Sequence, residues 1–139
     1  MKVVCERILN PQAHPWFSEE LESHARVAVG EEYVVSFISV EPRSSSRPAD
    51  PSVFFALVRD EHHFSHGMWP YEMFRTTSTR IPSNWVVAID EDGYLSLAPA
   101  AFLQSFFWER VNGDSGTHEE QLEAIADYKR ELEVIFAEA

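Results

Sequence analysis

The segment "HHFSH" places His62, His63 and His66 within five residues, and on a helix His62 and His66 would share a face, as metal ligands often do. Gly67 and Pro70 make this stretch a loop instead, with no cysteine close by and no acid at the third-ligand spacing of a zinc signature. It reads as a solvated loop, and no metal is expected. The single cysteine, Cys5, sits in the apolar "KVVCERIL" and reads as a buried strand thiol rather than a nucleophile. The chain has no G-x-S-x-G elbow, no S-x-x-K, and no G-x-G-x-x-G or G-x-x-x-x-G-K loop to cradle a phosphate. The expectation is therefore no catalytic residue, no cofactor and no enzymatic activity.

Other polar groups suit recognition better than chemistry. Asp90, Glu91 and Asp92 stand in a row before Gly93, where an EF-hand loop fails because the glycine comes early and no glutamate closes it. They read as an acidic turn, open to contact with cations on a partner. Glu119, Glu120 and Glu123 form a second acidic group. Trp69, Tyr71 and Phe74 are aromatics in and beside a polar loop, either folded back onto the core or presented as anchors to another protein. Arg43 and Arg47 flank three serines in a loop and read as solvated.

Composition narrows the partners. With 23 acids against 11 Lys and Arg, the net charge is −12, which repels nucleic acid and anionic lipid and favours basic proteins. One cysteine excludes an internal disulfide framework and suits a reducing compartment. No signal peptide is expected, because Glu6 and Arg7 interrupt the first apolar run, and no stretch reaches the roughly 20 apolar residues of a membrane span. The expectation is one cytoplasmic domain over residues 1–139, with 45% hydrophobic residues enough for a sizeable core.

The elements that must position these groups follow from pattern. "VVCERIL" suggests an edge strand, and a helix capped by Ser18 and ended by Gly30 should follow. "YVVSFISV", "VFFALVR" and "MFRTTST" read as strands, the first two apolar on both faces and so central. "EPRSSSRPADPS" and "DEHHFSHGMWPYE" are long loops. "WVVAI" reads as an interior strand, joined through "DEDG" to a returning "YLSL". Pro99 opens a helix with Phe102, Phe106 and Val111 on one face. After "NGDSG", Thr117 and Glu120 make a T-x-x-E capping box for a last helix, whose apolar face is Leu122, Ile125, Tyr128, Leu132, Ile135 and Phe136. The fold class is α+β: a mainly antiparallel central sheet of about five or six strands, with helices packed on it and a long C-terminal helix.

Within this frame, "IPSNW" at Ile81 to Trp85, "GYLSLAP" at Gly93 to Pro99, and "FWE" at Phe107 to Glu109 resemble small bacterial immunity proteins that neutralise contact-dependent growth inhibition and related polymorphic toxins. The match covers about 35 residues, and its motifs are scaffold. The resemblance implies a cytosolic α+β protein without catalytic activity that binds the C-terminal domain of a cognate toxin. A nuclease toxin would be basic, since it must hold phosphates. The expected contacts are Asp90, Glu91, Asp92, Glu119, Glu120 and Glu123, with Trp69 and Tyr71 as anchors. The alternatives are a small-ligand sensor or adaptor, and a metalloenzyme built on the three histidines.

Overall fold

The computed structural model describes residues 1–9, 27–42, 53–59 and 68–139. The expected helix from Ser18, the loop arginines Arg43 and Arg47, and His62, His63 and His66 fall mainly or wholly outside the described residues.

Among the described residues seven antiparallel strands form one sheet: β1 (Lys2–Cys5), β2 (Glu32–Val40), β3 (Val53–Val58), β4 (Met68–Pro70), β5 (Phe74–Ser78), β6 (Trp85–Ile89) and β7 (Leu95–Pro99). The nine-residue β2 organises it. One edge of β2 is lined by β3 from Val34 to Val40, and β4 adds to β3. The opposite edge is shared: β1 pairs with Glu32 to Val34, and β7 pairs with Ile38 to Val40. The sheet therefore forks. One branch continues β1 to β5, and the other continues β7 to β6.

Side-chain alternation along β2 divides the core between two faces. Tyr33 and Val35 join Met1, Val3, Cys5, Phe55, Leu57, Trp69 and Met73 on one face. Val34 joins Val58, Ala98, Phe102 and residues of the helices on the other. A register shift between Val35 and Phe37 lets Phe37 stay on the helical face while Ile38 returns to the first. The helical face is covered by α1 (Phe107–Asn112) and α2 (His118–Glu138).

The helix α2 begins at the expected box: the Thr117 hydroxyl accepts from the Glu120 N–H, and a Glu120 carboxylate oxygen accepts from the Thr117 N–H at 2.6 Å. Ala124, Tyr128, Leu132 and Ile135 are its buried residues, with Ile125 and Phe136 packed beside them. Leu122, expected on this face, is exposed, because Ala124 sits closer to the middle of the buried stripe.

Several expectations need correction. The strand β1 is interior, between β2 and β5, with Val3 and Cys5 fully buried; a short N-terminal strand gives no sign of how many neighbours it has. Met68 to Pro70, expected in a loop, pairs with β3. Pro99 ends β7 and precedes a 3-10 turn, Ala100–Leu103, so no continuous helix runs from Pro99 to Val111. Phe102 and Val111 are buried as expected, whereas Phe106 adopts a left-handed conformation at φ 61° and is 67% exposed. Finally, β6, expected inside the sheet, pairs only with β7 among the described strands.

Candidate partner-binding surface

The acidic turn divides its work between neighbouring residues. Asp90 Oδ1 accepts hydrogen bonds from the backbone N–H groups of Asp92 (3.0 Å) and Tyr94 (2.9 Å). The Gly93 N–H closes onto the Asp90 carbonyl at 3.1 Å, and Gly93 supplies φ +85°, which an L side chain rarely adopts. Asp90 is thus the brace of the turn. Glu91 and Asp92 project from its tip into solvent, with no cation within ion-pair distance among the described residues.

The other end of β6 is fixed to the last turns of α2. Glu138 accepts from the Ser83 N–H at 2.6 Å and the Ser83 hydroxyl at 2.7 Å. Those bonds, with the charge of Arg80, hold the Glu138 carboxyl below its ordinary range. Asn84 Nδ2 donates to the Glu131 carbonyl and carboxylate. Trp85 packs against both cores, wedging the start of β6 between them.

Between these two fixings, β6 carries an apolar surface. Register aligns Trp69, Phe55, Ile38, Leu97 and Val87 across β4, β3, β2, β7 and β6, and directly opposed residues share a face. The row begins at Trp69, 3% exposed, and ends at Val87, 65% exposed. Ile89, on the same side of β6, is 68% exposed and lies opposite half-buried Leu95. The core of the first face thus continues outward as an uncovered apolar margin. Val86 is exposed on the other side.

Among the described residues no strand pairs with the outer side of β6 either. The Asp90 N–H donates to the Tyr94 carbonyl at 3.0 Å, so the 90/94 pair is hydrogen-bonded across the hairpin. Alternation makes 88/96 and 86/98 hydrogen-bonded pairs and leaves 85/99, 87/97 and 89/95 unbonded, which suits Pro99, having no N–H to give. The N–H and C=O groups of Val87 and Ile89 therefore point away from β7, toward the free edge.

The remaining expected contacts do not join this surface. Trp69 belongs to the core, so it is no anchor: the aromatic folded back, as one of the two sequence readings allowed. Tyr71 follows β4 in a 3-10 turn and is 44% exposed, but four strand spacings, about 19 Å, separate β4 from β6. Glu120 is spent on the cap of α2, while Glu119 and Glu123 are exposed. At 1.5 Å per residue they lie about 20 to 30 Å along the helix from the Glu138 end that meets β6.

Two features escaped the sequence reading: the exposed apolar edge of β6, and Phe106. The Phe106 carbonyl accepts from Arg110 Nε at 3.3 Å, and the Ser105 carbonyl from the same guanidinium, which steadies the left-handed turn. Neither Val-Val nor Phe-Phe announces exposure by type. Cys5 is buried, and burial pushes its thiol above the ordinary range, the opposite of activation. Among the described residues no group of three or more His, Cys, Asp or Glu is placed to hold a metal, and no helix is long and apolar enough to cross a membrane.

Comparison with family models, with curated proteins and with solved structures gives no match. The functional reading therefore rests on the surface itself and on the sequence resemblance.

Proposed function

We propose that this protein is an immunity-type inhibitor that binds the C-terminal domain of a cognate, basic toxin without catalysing a reaction, and that the β6–β7 hairpin is part of the contact. The observation that carries this reading is the apolar margin at Val87 and Ile89 next to the exposed acids Glu91 and Asp92, which no cation meets among the described residues. Protein interfaces combine a desolvated apolar centre with a charged rim, and here the two lie on one rigid hairpin.

Charge supports the same partner. Of the basic side chains, Lys2, Arg59, Arg75 and Arg130 are already paired with acids, and Arg7 and Arg110 are turned onto backbone carbonyls. The net charge of −12 is thus expressed at exposed carboxylates, and it steers a cationic protein inward before contact. Steered association exceeds the unsteered roughly 10⁵ to 10⁶ M⁻¹s⁻¹, an advantage against a toxin that is already inside a cell. A standard interface takes roughly 800 Å² from each partner, more than the hairpin alone offers, so neighbouring surface takes part.

The test is calorimetry at low and moderate salt between this protein and the C-terminal domain encoded immediately upstream of it. Nanomolar affinity that weakens with salt is expected. No binding to a well-folded domain overturns the proposal.

A further inference from the structure

From the free edge of β6 we infer how the partner docks: it adds a β-strand along Trp85–Ile89, hydrogen-bonding the outward N–H and C=O groups of Val87 and Ile89. The inference rests on the inhibitor reading and specifies its contact.

Edge strands are a hazard, and proteins blunt them with lysine, proline, bulges, inward-pointing charges or a covering segment. None of the first four occurs in β6, which is "WVVAI" in regular register with β7 throughout. Nothing among the described residues pairs with its outer side. The strand is also held rigid: Ser83 and Asn84 tie one end to α2, and the Asp90 brace closes the other. A preformed edge costs little ordering when a strand docks on it.

Charge selects the occupant. The acids at the two ends of the edge differ: Glu91 and Asp92, beyond its C-terminal end, are exposed, whereas at the turn before it Glu131 is paired with Arg130 and Glu138 is held by Ser83. The complementary segment is extended, apolar at alternate positions to meet Val87 and Ile89, and carries lysine or arginine at the end that meets Glu91 and Asp92. A second copy of this chain fits poorly, since it brings another −12 and the same acids. Backbone bonds would supply affinity and the alternating side chains specificity, as in other strand additions.

The probe is the upstream-encoded C-terminal domain, titrated against wild type, Val87→Pro and Ile89→Lys. Proline at position 87 removes a donor that faces away from β7, and Ile89 is exposed, so circular dichroism should show both variants folded. Each should weaken binding at least tenfold. Hydrogen exchange should show the Val87 and Ile89 amides fast in the free protein and protected in the complex. If wild type binds but those amides stay fast, or if Ile89→Lys binds as wild type does, strand addition is wrong while the inhibitor reading stands. If wild type does not bind, both fall. Sedimentation at low salt, where the charges are unscreened, should show a monomer; a low-salt dimer that Val87→Pro or Ile89→Lys dissolves would make a second copy the occupant and overturn the proposal.

Discussion

Replacing Asp90 should damage the fold, whereas replacing its two acidic neighbours should not. Asp90 Oδ1 accepts two backbone N–H groups, from Asp92 and Tyr94, at 3.0 and 2.9 Å. The turn is exposed, so each bond is taken at the ordinary net value of about 1 kcal/mol or somewhat less rather than at the roughly 1.5 to 3 kcal/mol of a charged acceptor. Asp90→Ala removes both acceptor bonds and should cost about 1 to 2 kcal/mol. In a chain of 139 residues that corresponds to a fall in Tm of about 3 to 8 °C. Asp90→Asn keeps an oxygen in place and should lose about half as much. Glu91→Gln with Asp92→Asn removes two charges but no bond that the structure shows, and should stay within about 0.5 kcal/mol. Urea unfolding of the three variants, with thermal melts alongside, measures the series. Equal losses for Asp90→Ala and Glu91→Gln/Asp92→Asn would refute the division of roles. So would Asp90→Ala with stability unchanged. The same double variant should slow association with the upstream-encoded domain roughly two- to tenfold at low salt while leaving dissociation nearly unchanged.

Leu132→Ala, at a fully buried position, should cost about 2 to 5 kcal/mol in urea unfolding, against about 0.5 kcal/mol or less for exposed Leu122→Ala. Burial raises the Tyr128 phenol to about 12, above its ordinary value. The folded state therefore keeps that proton longer than the unfolded chain does. Stability from this group is intact below about pH 10 and declines between about pH 10 and 12, by up to about 1.4 kcal/mol per pH unit, a slope that Tyr128→Phe should reduce in guanidinium unfolding. The depressed Glu138 carboxyl has the opposite sign: its contribution is present above the ordinary glutamate range and is lost as the pH falls through the folded value. Carbon-detected NMR titration should show Glu138 returning toward that ordinary range in Ser83→Ala.

The sequence disclosed elements better than neighbours. The capping box at Thr117 and the turn glycine at Gly93 are local devices, and both stand where their residues required. Sheet position is not local. "KVVC" and "WVVAI" look alike in composition, yet among the described strands β1 has two neighbours and β6 has one, because the fork in the sheet depends on where the long β2 finds partners. The pattern suggests an edge place for the first and an interior place for the second, and the described strands have them the other way round. Apolar spacing places Phe106 on a helix face, whereas the chain turns through φ 61° there and sends the ring outward. Within the acidic group the sequence could not separate Asp90 from Glu91 and Asp92, since only the folded turn decides which carboxylate meets the amides.

An unguarded apolar edge on an isolated protein invites copies to pair, and β6 has neither lysine nor proline to prevent it. The acids around it supply a different guard. Two copies approaching edge to edge each carry −12, with Glu91 and Asp92 next to the strand they would have to share, so self-pairing is opposed over a Debye length of about 10 Å. A cationic strand meets the reverse field. On the proposed reading, one charge distribution would disfavour a second copy and favour a basic partner at the open edge. The two effects separate with salt: raising ionic strength should weaken binding to the upstream-encoded domain and, by the same screening, promote self-association of the free protein through β6. Opposite responses in calorimetry and sedimentation would follow from this account. Self-association that salt leaves unchanged would mean that the acids do not guard the edge.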